Sequence, residues 1–165
     1  MSTNEVEMKL KLLEQIFASN STFTYLRENY LNVLGLIGNS LSIDDLQELI
    51  DNNVFISIMF SPGTHIKIKH DIPAKSGFIV IDYNHLKSLP KEQIVAIIYH
   101  EIGHALNPEL KDDESEYAAD DYAISKGFGE ALKQSLSESI DNFPEEFAKP
   151  ISYQRLVRIN MTLDE

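Results

Sequence analysis

The stretch Tyr99-His-Glu-Ile-Gly-His-Ala-Leu106 carries the strongest chemical signal in the chain. Apolar residues recur at helical spacing through it and through the run before it, so we expect a buried helix here. His100 and His104 stand four residues apart, which places both imidazoles on one face, where they can bind the same ion. Glu101 lies beside the first histidine and can accept a proton from water at the metal. Burying these three groups without a partner is costly, which favours a metal site over two solvated histidines.

A second segment, Glu116-Tyr-Ala-Ala-Asp120, supplies candidates for the remaining ligand. A catalytic zinc site needs a third protein ligand and an open position for water. Glu116 lies 12 residues after His104, which leaves room for a loop and a returning helix. Asp120, one turn later, can accept the other N–H of a liganding histidine and fix its orientation. Two alternatives stay open, which are Glu114 as the ligand and an acidic run that forms only a solvated face.

The composition predicts one soluble domain. The 165 residues include 43% hydrophobic and 24% charged residues, which are ordinary globular values. We expect a single domain over 1–165, with a helical region at 1–50, a small sheet at 54–83 and the active-site and C-terminal helices at 90–165.

Three short runs in the middle of the chain predict strands. They are Val54–Phe60, His65–Lys69 and Gly77–Asp82, and the turn signal Ser61-Pro-Gly63 follows the first of them. Short strands separated by turns indicate a mostly antiparallel sheet. We therefore expect an α+β fold, in which helices pack on one face of a small, mostly antiparallel sheet and the helix with His100 is central.

The charge and the absence of cysteine exclude several classes of function. A formal charge of −12 gives no basic footprint for nucleic acid and disfavours an anionic lipid surface. Without cysteine, histidine and carboxylate are the available strong metal ligands. The first residues are acidic where a secretory signal would be basic, and no run approaches the ~18 apolar residues of a membrane span. We expect a cytoplasmic protein without membrane insertion.

The two motifs together resemble the gluzincin metallopeptidases, in particular the HtpX-like and CAAX-prenyl-protease-like group, which combine H-E-x-x-H with a later E-x-x-A-D. The soluble ImmA/IrrE-type metallopeptidases are a second group that the chain is similar to. The resemblance implies a zincin-like fold, a Zn²⁺ cofactor bound by His100, His104 and Glu116, and zinc metalloendopeptidase activity. The segment from Lys149 to Arg155 is similar to the group's C-terminal motif, and the resemblance implies that Arg155 stabilises the oxyanion or braces the site.

These observations predict a zinc-dependent metallopeptidase with Glu101 as general base and a protein or peptide as substrate. The alternative is a non-catalytic or latent zinc-binding module for regulation or interaction. The short spacing between the ligands and Lys149, which stands where the resembling group has histidine, motivate that alternative. Tyr153 is a further candidate donor to an oxyanion. The remaining histidines, which we interpret as ordinary surface or hydrogen-bonded residues, are His65, His70 and His85.

Overall fold

The computed structural model describes residues 3–17, 20–29, 31–59, 76–82 and 87–164. Within these ranges the chain forms nine helices and two strands. In chain order they are α1 (Thr3–Ile16), α2 (Asn20–Asn29), α3 (Leu31–Ser40), α4 (Ile43–Asp51), β1 (Val54–Met59), β2 (Gly77–Asp82), α5 (Lys91–Leu106), α6 (Asp112–Ser125), α7 (Gly129–Asn142), α8 (Pro144–Phe147) and α9 (Pro150–Leu163).

The predicted α+β fold with a mostly antiparallel sheet is wrong. The described chain is mostly helical, and its sheet consists of β1 and β2, which pair in parallel from Val54 with Gly77 to Met59 with Asp82. The prediction assumed that the chain folds back at the turn signal after β1. Residues 60–76 join the strands instead, and these 17 residues exceed the dozen or so that a parallel crossover requires. The predicted strand at 65–69 lies outside the described residues.

The first of two compact units covers residues 1–91 and contains α1 to α4 and the sheet. Helix α1 contacts α3, α4 and β1, and it buries Leu13 and Ile16. Helix α4 begins with a capping box, in which the Ser42 hydroxyl accepts the Asp45 N–H and the Asp45 carboxylate accepts the Ser42 N–H. The core of this unit is therefore assembled from the apolar faces of short helices.

The second unit covers residues 92–165 and contains α5, from its second residue, to α9. Helix α5 ends before Asn107-Pro108, and it buries nine of its residues. Among them, Tyr99 is fully buried and contacts the rings of Tyr122 and Phe128 edge-on. Helix α7 packs against α6 and α9, which lie in contact with each other. The expectation of a single domain over 1–165 stays a prediction.

None of the described helices has both the length and the apolar composition needed to cross a membrane.

Candidate metal centre

Helix α5 brings two histidine side chains to one point. His100 is buried and His104 is partly exposed. Their Nε2 atoms lie 3.1 Å apart, and the two rings meet edge-on with centroids separated by 4.6 Å. The four-residue spacing produces this arrangement because residues at i and i+4 lie one above the other on a helix.

Helix α6 completes the cluster with a carboxylate. Glu116 Oε2 lies 3.5 Å from His100 Nε2, and Glu116 Oε1 lies 3.5 Å from His104 Nε2. Ligands about 2.1 Å from a tetrahedral zinc are separated by about 3.4 Å from one another. These distances of 3.1–3.5 Å, measured to a different Glu116 oxygen for each histidine, are close to that separation, and His100, His104 and Glu116 form a cluster that could hold a metal ion.

The second nitrogen of each ring has its own partner. His100 Nδ1 lies 3.0 Å from Asp120 Oδ1, and His104 Nδ1 lies 2.9 Å from Ser115 Oγ. We assign a proton to His100 Nδ1, because an ionised Asp120 can only accept, and the Ser115 hydroxyl can accept a proton from His104 Nδ1 in the same way. When both rings are neutral in this tautomer, the Nε2 lone pairs face each other and the Glu116 carboxylate, and this arrangement is repulsive unless a metal cation lies between them or His100 Nε2 gains a proton. The donor set therefore fits a bound metal ion.

A close contact between α5 and α6 makes this convergence possible. A Cβ atom added to Gly103 would lie 2.6 Å from Ala119 Cα, closer than such atoms approach in proteins. Ala119 and Ala123 are completely buried on the facing side of α6. The glycine inside the histidine motif and the alanines after Glu116 thus bring the two ligand-bearing helices together.

Arg155 of α9 joins the carboxylates around the cluster. Its Nε and Nη2 donate to both oxygens of Asp120, at 2.9 and 2.7 Å, and its Nη1 donates to Glu116 Oε2 at 2.6 Å. Asp120 is completely buried, so the paired guanidinium compensates its charge. With neutral histidines, Glu116, Asp120 and Arg155 sum to a charge of −1, which suits a cation.

Burial and these contacts shift the pKa of each group at the cluster. Burial lowers the pKa of His100, but hydrogen bonds to Asp120 and Glu116 outweigh it and raise that pKa above its ordinary value. Burial, followed by the charge of His100, lowers the pKa of His104. The hydrogen bond from His100 lowers the pKa of Glu116 against the effect of burial. Burial would raise the pKa of Asp120, but hydrogen bonds from His100 and Arg155 lower it.

The other predicted residues have different positions. Glu101 is partly buried beside the cluster, and its charge acts on both His104 and Arg155. Glu114, the alternative ligand, is exposed and lies outside the cluster. Lys149 and Tyr153 are also exposed, and Tyr153 stands two residues from Arg155, so the two side chains leave different faces of α9. Outside the described residues lie His65, His70 and His85.

Sequence reasoning missed Ser115, which holds the second ring nitrogen of His104. A serine in the first turns of a helix is common, and nothing local distinguishes this one. The only available signal is its position directly before Glu116, which places it on the part of α6 that faces α5.

Comparison of the chain with protein-family models, with curated proteins and with solved structures gives no match in any of the three. The resemblance to the gluzincins therefore stays a prediction, and the chemistry of the cluster carries the functional argument.

Proposed function

We propose that the chain is a zinc-dependent metallopeptidase that hydrolyses peptide bonds in a protein or peptide substrate. One observation carries the proposal: the Nε2 atoms of His100 and His104 and the Glu116 carboxylate converge at 3.1–3.5 Å, while each Nδ1 is already hydrogen-bonded. Two histidines and one glutamate are a donor set of catalytic zinc sites, which keep a fourth position for water. The chain contains no cysteine that would favour a closed structural site.

The chain's own residues have separate tasks in this proposal. When bound, zinc polarises the scissile carbonyl and lowers the pKa of water to ~7. Glu101 removes a proton from the attacking water as its oxygen bonds to the carbonyl carbon, and it then delivers that proton to the amine nitrogen when the C–N bond breaks. Arg155 holds Glu116 and Asp120 in place. Asp120 in turn keeps the proton of His100 on Nδ1, which leaves Nε2 for the metal.

The metal is tested first by elemental analysis of protein purified without chelator. We expect about one zinc per chain, and a large loss in Glu116→Ala. The matched control is Glu114→Ala, which removes a carboxylate from the same helix outside the cluster and leaves the zinc content unchanged. If the parent protein holds no zinc even after zinc is added back, the proposal fails.

Catalysis is tested with Glu101→Gln, which keeps the shape of the side chain but removes the base. We expect the variant to bind zinc as the parent does and to lose about 10²–10⁴-fold in the rate of peptide cleavage. Glu109→Gln, an exposed position outside the cluster, serves as the control. If Glu101→Gln cleaves as fast as the parent, Glu101 is not the base.

The second candidate is a latent or non-catalytic zinc-binding module. The position of Arg155 favours it, because Nη2 lies 3.4 Å from both ring nitrogens of His100 and brings a positive charge to the cation site. Chelator-sensitive cleavage of casein or of a peptide library would support the peptidase. Bound zinc without cleavage of either would support the module.

We also propose a cytoplasmic location, with neither nucleic acid nor a membrane as partner. The charge of −12 and the absence of cysteine support this proposal.

A further inference from the structure

Helices α1, α2 and α3 enclose an apolar cavity of about 270 Å³ within the first unit. We call it the α1–α3 cavity. Its apolar lining includes Val6, Leu10, Leu13, Phe23 and Leu34. Leu13, Phe23 and Leu34 are buried at its base, whereas Val6 and Leu10 are 43% and 48% exposed. The cavity therefore has an apolar base, and the exposed residues around its opening lie on all three helices, with Arg27 on α2 and Gly35 on α3.

Lys9 lies in the lining of the α1–α3 cavity and is only 7% exposed. Its ammonium donates one hydrogen bond, 3.0 Å long, to the carbonyl of Gly38 in the last turn of α3. Carbonyls at the C-terminus of a helix attract a cation, and this contact uses one of the three N–H groups of the Lys9 ammonium. No carboxylate among the described residues pairs with Lys9. A buried ammonium without a counter-ion is costly, so this group is suited to an anion supplied from outside.

Arg27 lines the same cavity from the last turn of α2. It is exposed, and its guanidinium has no ion pair within the described part of the chain. The protein carries 26 acidic and 14 basic side chains. Two cations without carboxylate partners at one cavity are therefore unusual in this acidic chain.

We propose that the α1–α3 cavity binds a small amphiphile, namely an alkyl chain of medium length that ends in a carboxylate. The chain lies on Leu13, Phe23 and Leu34, and the carboxylate pairs with Lys9 and Arg27. A volume of about 270 Å³ lies at the lower end of the range of ligand cavities in proteins, so it favours a medium-length chain over a long-chain lipid. This function goes beyond metal-dependent hydrolysis, because every lining residue belongs to the first unit.

Isothermal titration with octanoate tests the role of the charge, with 1-octanol and octyltrimethylammonium as ligands of the same chain length. We expect octanoate to bind at least about tenfold more tightly than either, because a hydrogen bond to a charged group contributes that much. Lys9→Met keeps an unbranched apolar side chain close to the length of the lysine stem and removes the ammonium, and it should weaken octanoate binding by a similar factor. Lys11→Met is the matched control, since Lys11 is exposed on the same helix and pairs with Glu7.

Two further measurements test the apolar base. Affinity should rise about fourfold per added methylene from hexanoate to octanoate. Gly35→Leu should abolish binding, because a Cβ there meets nothing within 4 Å and the added side chain can occupy the cavity. The control is Asn32→Leu, which adds the same side chain to α3 outside the lining.

Circular dichroism of each variant separates lost binding from lost folding. Equal affinity for octanoate and 1-octanol, or full octanoate affinity in Lys9→Met, would overturn the proposal, since the cation would then select nothing. So would unchanged binding in a folded Gly35→Leu variant, which would place the ligand elsewhere.

Discussion

The two compact units of this protein handle charge in opposite ways. Residues 1–91 carry 8 basic and 10 acidic side chains, a net charge of −2, whereas residues 92–165 carry 6 and 16, a net charge of −10. In the first unit the buried charge among the described residues is Lys9. The second unit buries Asp120 completely and surrounds it with Arg155 and His100.

This difference shows where each unit depends on specific partners. The first is held by apolar packing, in which neighbouring side chains can adjust to a change. In the second, a buried carboxylate is tolerated only because a guanidinium and an imidazole donate to it, and removal of one member leaves an uncompensated charge. In the second unit, the residues that stabilise the buried carboxylate therefore include a candidate metal ligand, His100.

The largest effect should come from the substitution Asp120→Ala. It removes the common acceptor of Arg155 and His100 and leaves Arg155 with Glu116 as its carboxylate partner, so we expect a loss near the lower end of about 3–5 kcal/mol. The control is Asp121→Ala, since Asp121 also pairs with an arginine through two hydrogen bonds but is exposed, and such pairs contribute about 0–1 kcal/mol. Urea unfolding measures both. Equal losses would mean that burial does not distinguish the two pairs.

Zinc should stabilise the second unit and not the first. Free zinc at 100 times its dissociation constant adds about 2.7 kcal/mol to the free energy of unfolding of the part that binds it. Hydrogen exchange with and without chelator locates the effect. We expect slower exchange in α5, α6 and α9 and little change in α1 to α4. Protection spread evenly over both units would mean that zinc does not act on the second unit alone.

Substitution of two glycines by alanine should change the free energy of unfolding in opposite directions. Gly103→Ala forces a Cβ against Ala119 and should cost about 1–3 kcal/mol. Gly35→Ala meets nothing within 4 Å in the middle of α3 and should gain about 0.5–1 kcal/mol from helix propensity. Thermal unfolding of each variant shows whether its stability falls or rises. A neutral Gly103→Ala would show that α5 and α6 can separate without loss.

The smallest effect concerns the pH dependence of the metal-free protein. The pKa values of Asp120 and Glu116 are lowered in the fold, so their stabilisation is complete above the ordinary values of 3.8 and 4.5 and is lost as the pH falls. The pKa of His100 is raised, so its contribution is present below 6.5 and is lost as the pH rises through the folded value. The lowered pKa of His104 acts in the opposite sense, because it reduces stability below 6.5, so we expect stability to fall on the acid side of about pH 4.5 and again on the basic side of 6.5.

Urea midpoints of chelated protein from pH 3 to 8 test this profile. Asp120→Asn should flatten its acid side, because the amide does not titrate in this range. A stability that keeps rising above pH 7 in the parent would contradict the role given to His100.

The sequence predicts those parts of the candidate site in which the residues lie close together along the chain, on one helix. The histidines of α5 are four residues apart, and Glu116 and Asp120 are four apart on α6, so helical geometry alone groups each pair. The bond from Arg155 to Asp120 joins residues 35 apart, and its partner follows from no local pattern. The contact between Ser115 and His104 also joins two different helices, so local spacing does not predict it.

The prediction of the sheet was wrong because strand direction is not a local property. Alternating and β-branched residues identify β1 and β2 as strands. Whether two strands run parallel depends on the path of the residues between them, and a turn signal after β1 does not fix that path.

The parallel pairing of β1 and β2 also has a consequence for the order of folding. Val54 and Gly77 are 23 residues apart, and every other pair of the parallel register has the same separation, so the first pair to form must close a long loop. In a tight hairpin, the first pair joins residues close together along the chain. Contacts of this kind slow the search for the native state, and helical contacts form early. We therefore expect the sheet to be among the last elements to form, after the helices on either side of it along the chain.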